Sequence, residues 1–257
     1  KGREALQYST TEGFAPLREW IAARLSTAAA PVSADEVLIV SGSQQGLDLL
    51  AKAMIDPGDR VLVETPTYLG ALQAFSLFGP EFVSVASDED GLIPEALDPS
   101  MRGAKFLYCL PNFQNPTGAL MPEDNKKRLL QLARRHGLPI IEDDVFGELH
   151  FSGSHPPPLK AWDRDGDVIY CSSFTKSFAP AFRLGWLSGG RHHAELARLR
   201  ESSSLVSPAL LLGVLSDVLG SGDYTRISQR IRQQLARQCD QLADAVLAAF
   251  PRGTRLR

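Results

Sequence analysis

The chain contains few cysteines, no long apolar run and little net charge. Its three cysteines lie far apart and lack the spacing of metal ligands. No apolar run approaches the length that spans a bilayer, and the first residues lack a signal-peptide pattern. The net charge of −3 gives no electrostatic footprint for nucleic acid or for an anionic membrane. Because Cys109 and Cys171 sit inside apolar runs, we expect buried free thiols and a reducing, cytoplasmic setting.

Short apolar runs that alternate with helical stretches dominate what is present. The 257 residues, 44% hydrophobic and 22% charged, match an ordinary soluble protein of one large domain or two smaller ones. The runs of strand type are 37–40, 60–64, 82–85, 105–110, 138–141, 168–171 and 184–187. This alternation predicts an α/β fold with a mostly parallel sheet and helices on both faces. Beyond residue 191 the pattern is helical, over 194–200, 208–219 and 224–250.

One stretch, residues 172–186, places a lysine among hydroxyl groups just after a predicted strand. Lys176 lies among hydroxyl-bearing residues, and Arg183 follows seven residues later. A lysine amine in an apolar pocket near a fixed cation loses proton affinity, and an unprotonated amine can form a Schiff base with an aldehyde. Hydroxyls and a guanidinium suit a phosphate. With a carboxylate partner these groups suggest pyridoxal phosphate, although a surface lysine in a Ser-rich loop is an equal alternative.

Two other predicted strands end in residues that suit a ligand. Residues 41–46 form a small-residue turn between a strand and a helix, which can aim backbone N–H groups at an anion. Strand 138–141 runs into Glu142, Asp143 and Asp144, at the edge where open α/β sheets place their ligands. Each signal alone is weak, because plain turn chemistry explains the first and a helix cap or a solvated carboxylate pair explains the second.

The weak signals occur together in one order along the chain. They are Tyr8, Ser-Gln-Gln at 43–45, Pro-Thr-Tyr at 66–68, Asn-Pro-Thr-Gly at 115–118, Glu-Asp-Asp at 142–144, Ser-Phe-Thr-Lys at 173–176 and Arg-Leu-Gly-Trp at 183–186. In this order they resemble the class I/II aminotransferase family, fold type I of the pyridoxal-phosphate enzymes, over essentially the whole chain. Segments 160–166 and 171–186 are especially similar to the aminotransferase-like domain of MocR-type transcriptional regulators. Segments 6–17 and 113–118 are similar to 2-aminoadipate aminotransferases.

The resemblance implies a seven-stranded type of sheet and a role for each motif. Lys176 would bind the cofactor as a Schiff base and shuttle the substrate proton, and Asp143 would pair with the pyridinium nitrogen. Asp144 would then be structural. Tyr68 would stack on the ring, and Asn115, before a peptide bond expected to be cis, would bond the phenolic oxygen. The residues implied at the phosphate are Ser43, Gln44, Gln45, Ser173, Thr175 and Arg183.

The resemblance also implies an arrangement of segments and subunits. In a homodimer, Tyr8 would reach the phosphate of the partner subunit. Residues 1–35 would form an N-terminal segment and helix near the interface, 36–220 the cofactor-binding large domain, and 221–257 a long helix leading to a small domain. That small domain, with the arginine that binds the substrate carboxylate, is expected outside this chain.

One position departs from the family pattern. Phe146 stands where the family usually has a tyrosine, three residues after the pyridinium aspartate. The missing hydroxyl is expected to raise the pKa of the Schiff base and to slow catalysis.

Three functions follow from the resemblance. The first is transamination between an amino acid and a 2-oxo acid in a ping-pong cycle. The second is a cofactor-binding sensor within a transcriptional regulator, which would need a basic winged helix-turn-helix module upstream of residue 1. The third is a lyase or other pyridoxal-phosphate chemistry, because a fold does not determine function. Transamination is the leading prediction, and the sequence does not identify the amino acid.

Overall fold

A mostly parallel sheet forms the centre of the protein. The computed structural model describes residues 6–97 and 101–256. Within these ranges the main sheet consists of β1 (Val37–Val40), β2 (Arg60–Glu64), β3 (Glu81–Val85), β6 (Phe106–Cys109), β7 (Ile140–Asp143), β8 (Val168–Ser173) and β9 (Gly185–Ser188). A small separate hairpin pairs β4 (Ser87–Asp88) with β5 (Gly91–Leu92). The seven-stranded sheet that the sequence predicts is confirmed.

The order of the strands is β1-β9-β8-β7-β6-β2-β3. Strands β3, β2, β6, β7 and β8 pair in parallel, whereas β9 runs antiparallel to both β8 and β1. The carboxyl ends of β1, β2, β6, β7 and β8 therefore share one edge of the sheet, and β9 begins at that same edge. Residues just before β9 consequently lie beside residues just after β8.

Helices cover both faces of the sheet, as the strand–helix alternation predicts. Their bounds are α1 (Ala15–Leu25), α2 (Ser43–Met54), α3 (Leu69–Ser76), α4 (Glu123–Arg135), α5 (Phe174–Ser177), α6 (His193–Ser204), α7 (Ala209–Gly220) and α8 (Asp223–Ala249). Apolar residues of α2, α3 and α6 pack on one face in a single buried cluster. On the other face, α1, α7 and the start of α8 cover one half, and α4 covers the other.

Strand β8 is longer than the apolar run that predicts it. The sequence places its end at Cys171, but Ser172 and Ser173 continue the strand because they pair with Trp186 and Gly185 of β9. The two hydroxyls are therefore buried in the sheet, and α5 follows at once as a single helical turn. This arrangement brings residues 174–176 directly to the carboxyl edge.

Helix α8 is the least buried of the long elements. Over Asp223–Ala249 the buried residues are Tyr224 and Ser228, both in the first two turns. Apolar side chains farther along, such as Leu242 and Leu247, are exposed. In residues 6–97 and 101–256 no helix is both long and apolar enough to cross a membrane. The three cysteines are free, and Cys109 and Cys171 are buried as expected.

Candidate active site

A cavity of about 150 Å³ opens at the carboxyl edge of the sheet. It gathers residues from the ends of five strands and from the segment before β9. All but two of the predicted site residues line it, namely Ser43, Gln44, Tyr68, Asn115, Asp143, Ser173, Thr175, Lys176 and Arg183. A second cavity of about 170 Å³ lies under α1, between Trp20 and Trp186, and contains none of the predicted residues.

One end of the cavity carries hydroxyl groups and a guanidinium. Ser173 Oγ lies 2.7 Å from Thr175 Oγ1, and it accepts a hydrogen bond from the Thr175 backbone N–H at 3.1 Å. Arg183 Nη1 lies 3.4 Å from Thr175 Oγ1. The Arg183 backbone is in the left-handed region (φ 49°, ψ 44°), which is strained for a residue with a side chain. The fold thus holds the guanidinium beside hydroxyls that suit a phosphate.

The amino end of α2 meets this group because two glycines allow a close approach. Gly42 has a φ of +75°, and a Cβ there would lie 2.6 Å from Arg183 Nη2. A Cβ at Gly185 would lie 2.7 Å from the Gly42 carbonyl carbon and 2.8 Å from the Ser43 nitrogen. The positive end of the helix dipole therefore lies next to Arg183, in a position that favours an anion.

Tyr68 and Gln44 form one wall of the cavity. Gln44 Nε2 donates to the Gly70 carbonyl at 2.8 Å, and the Tyr68 hydroxyl donates to Gln44 Oε1 at 3.4 Å. A Cβ at Gly70 would lie 2.4 Å from Tyr68 Cζ, so only glycine leaves room for the ring in this position. Burial and the nearby Asp143 carboxylate raise the pKa of Tyr68, which keeps it a neutral aromatic surface.

Asp143 also lines the cavity. The Tyr108 hydroxyl donates to its Oδ2 at 2.8 Å, whereas its Oδ1 is buried and has no hydrogen-bond partner among the described residues. Burial and the neighbouring Asp144 raise the pKa of Asp143 to about 7. The hydrogen bond from Tyr108 opposes this rise. A buried carboxylate oxygen without a partner favours a cationic N–H donor from outside the chain.

Asp144 lies outside the cavity, in agreement with a structural role. Its Oδ2 accepts a hydrogen bond from the Tyr170 hydroxyl at 2.9 Å, and its backbone oxygen accepts one from Ser172 Oγ at 2.8 Å. A Cβ at Gly147 would lie 2.4 Å from Asp144 Oδ1, so backbone covers this carboxylate.

Lys176 lines the cavity but is more exposed than the sequence argument requires. Its Nζ lies 6.0 Å from the centre of the Phe146 ring, the position without a hydroxyl. The side chain is exposed, although Phe174 and Ser177 on the same helical turn are buried. The expectation of a lysine buried in an apolar pocket is therefore wrong for the described residues.

Two predicted site residues do not reach the cavity. Gln45 Nε2 donates to Ser204 Oγ at 2.8 Å, and Gln45 Oε1 accepts from the Ser41 backbone N–H, so its side chain points away. Its backbone N–H is also used, by the Gly42 carbonyl. Tyr8 is 81% exposed and lies outside the lining.

The Asn115–Pro116 peptide bond is cis, as expected.

Sequence reasoning missed Tyr108 and the two glycines, Gly42 and Gly185. Tyr108 lies within an apolar run and is fully buried, so its sequence signal was that of a core residue. A buried hydroxyl needs an acceptor, but only the pairing of β6 with β7 shows that this acceptor is Asp143.

The cavity fits a ligand that carries both a phosphate and a cationic N–H. The hydroxyls, the guanidinium and the start of α2 suit the phosphate. The unpartnered Asp143 Oδ1 suits the N–H. Tyr68 offers an aromatic face in the same cavity, and Lys176 offers an amine.

The chain is similar to curated aminotransferases and to a curated transcriptional regulator. The chain is 42% identical over 211 residues to aromatic-amino-acid aminotransferase 1 of Thermococcus litoralis, which covers 78% of this chain and 50% of the relative. It is 37% identical over 261 residues to 2-aminoadipate transaminase of Thermus thermophilus, covering 99% and 64%. It is 36% identical over 242 residues to the HTH-type transcriptional regulator YdcR of Escherichia coli, covering 93% and 52%. The chain thus spans between 50% and 64% of the length of these relatives.

A solved structure shares the fold. The α-aminoadipate aminotransferase of Thermus thermophilus, complexed with N-(5′-phosphopyridoxyl)-L-leucine, matches with a TM-score of 0.91 and 37% identity, over 99% of this chain and 66% of that one. Together with the donor groups of the cavity, this indicates pyridoxal phosphate as the cofactor. The family model described as aminotransferase class I and II matches residues 1–254. The chain therefore belongs to the class I and II aminotransferase family.

Proposed function

We propose that this chain forms the cofactor-binding part of a pyridoxal-phosphate-dependent aminotransferase, which moves an amino group between an amino acid and a 2-oxo acid. The observation that carries this proposal is the unpartnered Asp143 Oδ1 in the same cavity as Lys176 and Arg183. A cavity with a lysine amine, an anion site and a buried carboxylate matches the needs of this one cofactor.

Each residue of the cavity receives one role in this proposal. When bound, the cofactor supplies an electron sink for the substrate α-carbon. Arg183, Ser173, Thr175 and the start of α2 bind its phosphate, and Asp143 holds a proton on the ring nitrogen. Tyr68 covers one face of the ring and Asn115 donates to its phenolic oxygen. Lys176 Nζ would hold the cofactor at its aldehyde group and would carry a proton to and from the substrate α-carbon.

The subunit arrangement and the segment boundaries belong to the same proposal. An 81% exposed Tyr8 is available to the phosphate of a partner subunit in a homodimer. In this proposal residues 1–35 would lie toward that interface, 36–220 would hold the cofactor, and 221–257 would lead to a small domain. Residues 1–5, 98–100 and 257 of these segments lie outside the described part of the chain. Buried free thiols at Cys109 and Cys171 support a reducing, cytoplasmic setting.

A cofactor-dependent sensor is the second candidate. The similarity to YdcR, over 93% of this chain, favours it. In that role the same cavity would bind the cofactor and an amino acid, but the amino group would stay on the amino acid. A DNA-binding module joined to this chain in the whole protein would distinguish the sensor from an enzyme.

Absorbance of the full-length protein with pyridoxal phosphate tests the proposal. We expect a visible band that Lys176→Ala abolishes and that an amino acid from a varied panel converts to the pyridoxamine form. A band that changes with an amino acid but never reaches that form favours the sensor. No lysine-dependent band in the wild type would contradict both functions.

A further inference from the structure

We infer that Tyr108 is a positioning residue, which orients the Asp143 carboxylate so that Oδ1 faces the cofactor cavity. The inference rests on the proposed function, because it concerns the carboxylate assigned to the ring nitrogen. It adds a residue that lies outside the cavity and acts only through Asp143.

The strand register brings Tyr108 to Asp143. Tyr108 on β6 is the register partner of Ile141 on β7, and Asp143 follows two residues later on the same face of that strand. The Tyr108 hydroxyl donates to Asp143 Oδ2 at 2.8 Å. Because one oxygen is held in this way, rotation of the carboxylate about its last bond is restricted, and Oδ1 is left for the cavity.

The Tyr108 ring cannot move to release this bond. It is 0% exposed and packs edge-on against Phe75, with ring centres 5.5 Å apart and an interplanar angle of 84°. Phe75 in turn packs edge-on against Phe106 at 5.4 Å. The aromatic cluster therefore fixes the hydroxyl at one position. A donor on a flexible side chain would instead move with the carboxylate.

The hydrogen bond also affects which form of Asp143 is present. Burial favours the neutral acid and raises its pKa to about 7, whereas the hydrogen bond from Tyr108 favours the carboxylate. Only the carboxylate can pair with a protonated ring nitrogen. The other ionisable groups around Asp143 are Tyr68, Cys109, Asp144, Cys171, Lys176 and Arg183.

The chain offers a matched control in Tyr170. Its hydroxyl donates to Asp144 Oδ2 at 2.9 Å, on the opposite face of the sheet, and the residue is 3% exposed. Tyr108→Phe and Tyr170→Phe each remove one buried hydroxyl from one aspartate. Both keep the aromatic ring, so both leave the apolar packing in place.

Binding of pyridoxine 5′-phosphate to the cofactor-free, full-length protein tests the inference. This probe has an alcohol in place of the aldehyde, so it reports on the cavity without bonding to Lys176. Calorimetry from about pH 5 to about pH 9 spans the titration of Asp143. We expect Tyr108→Phe to weaken binding about tenfold to a hundredfold and to move the rise in affinity to higher pH. Tyr170→Phe is expected to bind as the wild type does.

Three outcomes would overturn the inference, in separable ways. If Tyr108→Phe binds with wild-type affinity and pH profile, Tyr108 has no positioning role although the proposed function stands. If Tyr108→Phe weakens binding equally in an Asp143→Asn background, its effect does not act through Asp143. If the wild type does not bind the probe, or Asp143→Asn binds it equally well, the proposed function fails with the inference.

Discussion

Asp143 and Asp144 are adjacent in the chain, equally buried and each bonded to a tyrosine hydroxyl, yet only one of them belongs to the cavity. Each is 2% exposed, and each has one oxygen bonded to a tyrosine hydroxyl from a neighbouring strand. Within the described part of the chain, neither Oδ1 has a hydrogen-bond partner. The two differ in what covers that second oxygen.

The surroundings decide the role of each carboxylate. Gly147 backbone covers Asp144 Oδ1, whereas Asp143 lines the cavity. Burial raises the pKa of both. At Asp144 the rise is opposed by His155, by hydrogen bonds from Tyr170 and Asn112, and by Lys126. At Asp143 it is opposed by the Tyr108 hydrogen bond. Asp144 is thus compensated by more groups of the protein, whereas Asp143 lines a cavity in which a ligand cation can pair with it.

Replacing each aspartate by asparagine would test the comparison most severely. In the loaded full-length protein we expect Asp143→Asn to slow the reaction with an amino acid about a hundredfold or more, because an amide does not keep the ring nitrogen protonated. Asp144→Asn is expected to stay within a few-fold of the wild type. Stopped-flow absorbance measures both rates. Equal losses of rate in the two variants would contradict the assignment of different roles to Asp143 and Asp144.

The pH dependence of stability sharpens the comparison without any cofactor. The pKa of Asp143 is raised in the folded state to about 7, so the unbound wild type loses stability as pH rises from about 4 to about 7. Asp143→Asn lacks this loss. Its free energy of unfolding should therefore increase, relative to that of the wild type, by up to about 4 kcal/mol from the lower to the upper pH. Urea unfolding at both ends of the range measures it. A constant difference between the two proteins would contradict an ionised, unpaired Asp143.

The anion end of the cavity should be sensitive to a single methyl group. Gly185→Ala places a Cβ against the Gly42 carbonyl carbon and the Ser43 nitrogen, which separates the start of α2 from Arg183. We expect about tenfold weaker binding of pyridoxine 5′-phosphate. Gly213→Ala is the control, because its Cβ meets nothing within 4 Å. Unchanged affinity in Gly185→Ala would contradict a phosphate at this end.

The smallest expected effect is at Phe146. In Phe146→Tyr a hydroxyl is added where it can donate to the phenolic oxygen of the cofactor and stabilise the anionic form of that oxygen. The pH at which the visible band titrates should then fall by about one unit or less. An absorbance titration that is unchanged in this variant would contradict the expected effect of the missing hydroxyl.

The sheet and most of the cavity could be predicted because their signals are local. Apolar runs mark the strands, and motif residues such as Lys176 and Asp143 follow strands that end at one edge. The opposite direction of β9 was not predictable in this way, because residues 184–187 look like any buried strand. That direction is what brings Arg183 next to Thr175.

Other features depend on contacts between distant parts of the chain. Gln45 resembles its neighbours in the motif, but Ser204, on α6, draws its side chain away. Tyr108 looks like a core residue until the register of β6 and β7 places it beside Asp143. Lys176 is exposed, whereas Phe174 and Ser177 on the same turn of α5 are buried. Sequence periodicity predicts neither the direction of the Gln45 side chain, nor the contact of Tyr108 with Asp143, nor the exposure of Lys176.

Locating the attachment of the cofactor would test the central claim most directly. The full-length protein is loaded with pyridoxal phosphate, reduced with borohydride, digested and mapped by mass spectrometry. We predict that the phosphopyridoxyl mass is found on Lys176, and that Asp143→Asn reduces the labelled fraction more than Asp144→Asn does. Labelling of a different lysine, or no labelling above that of unfolded protein, would contradict the assignment of this cavity.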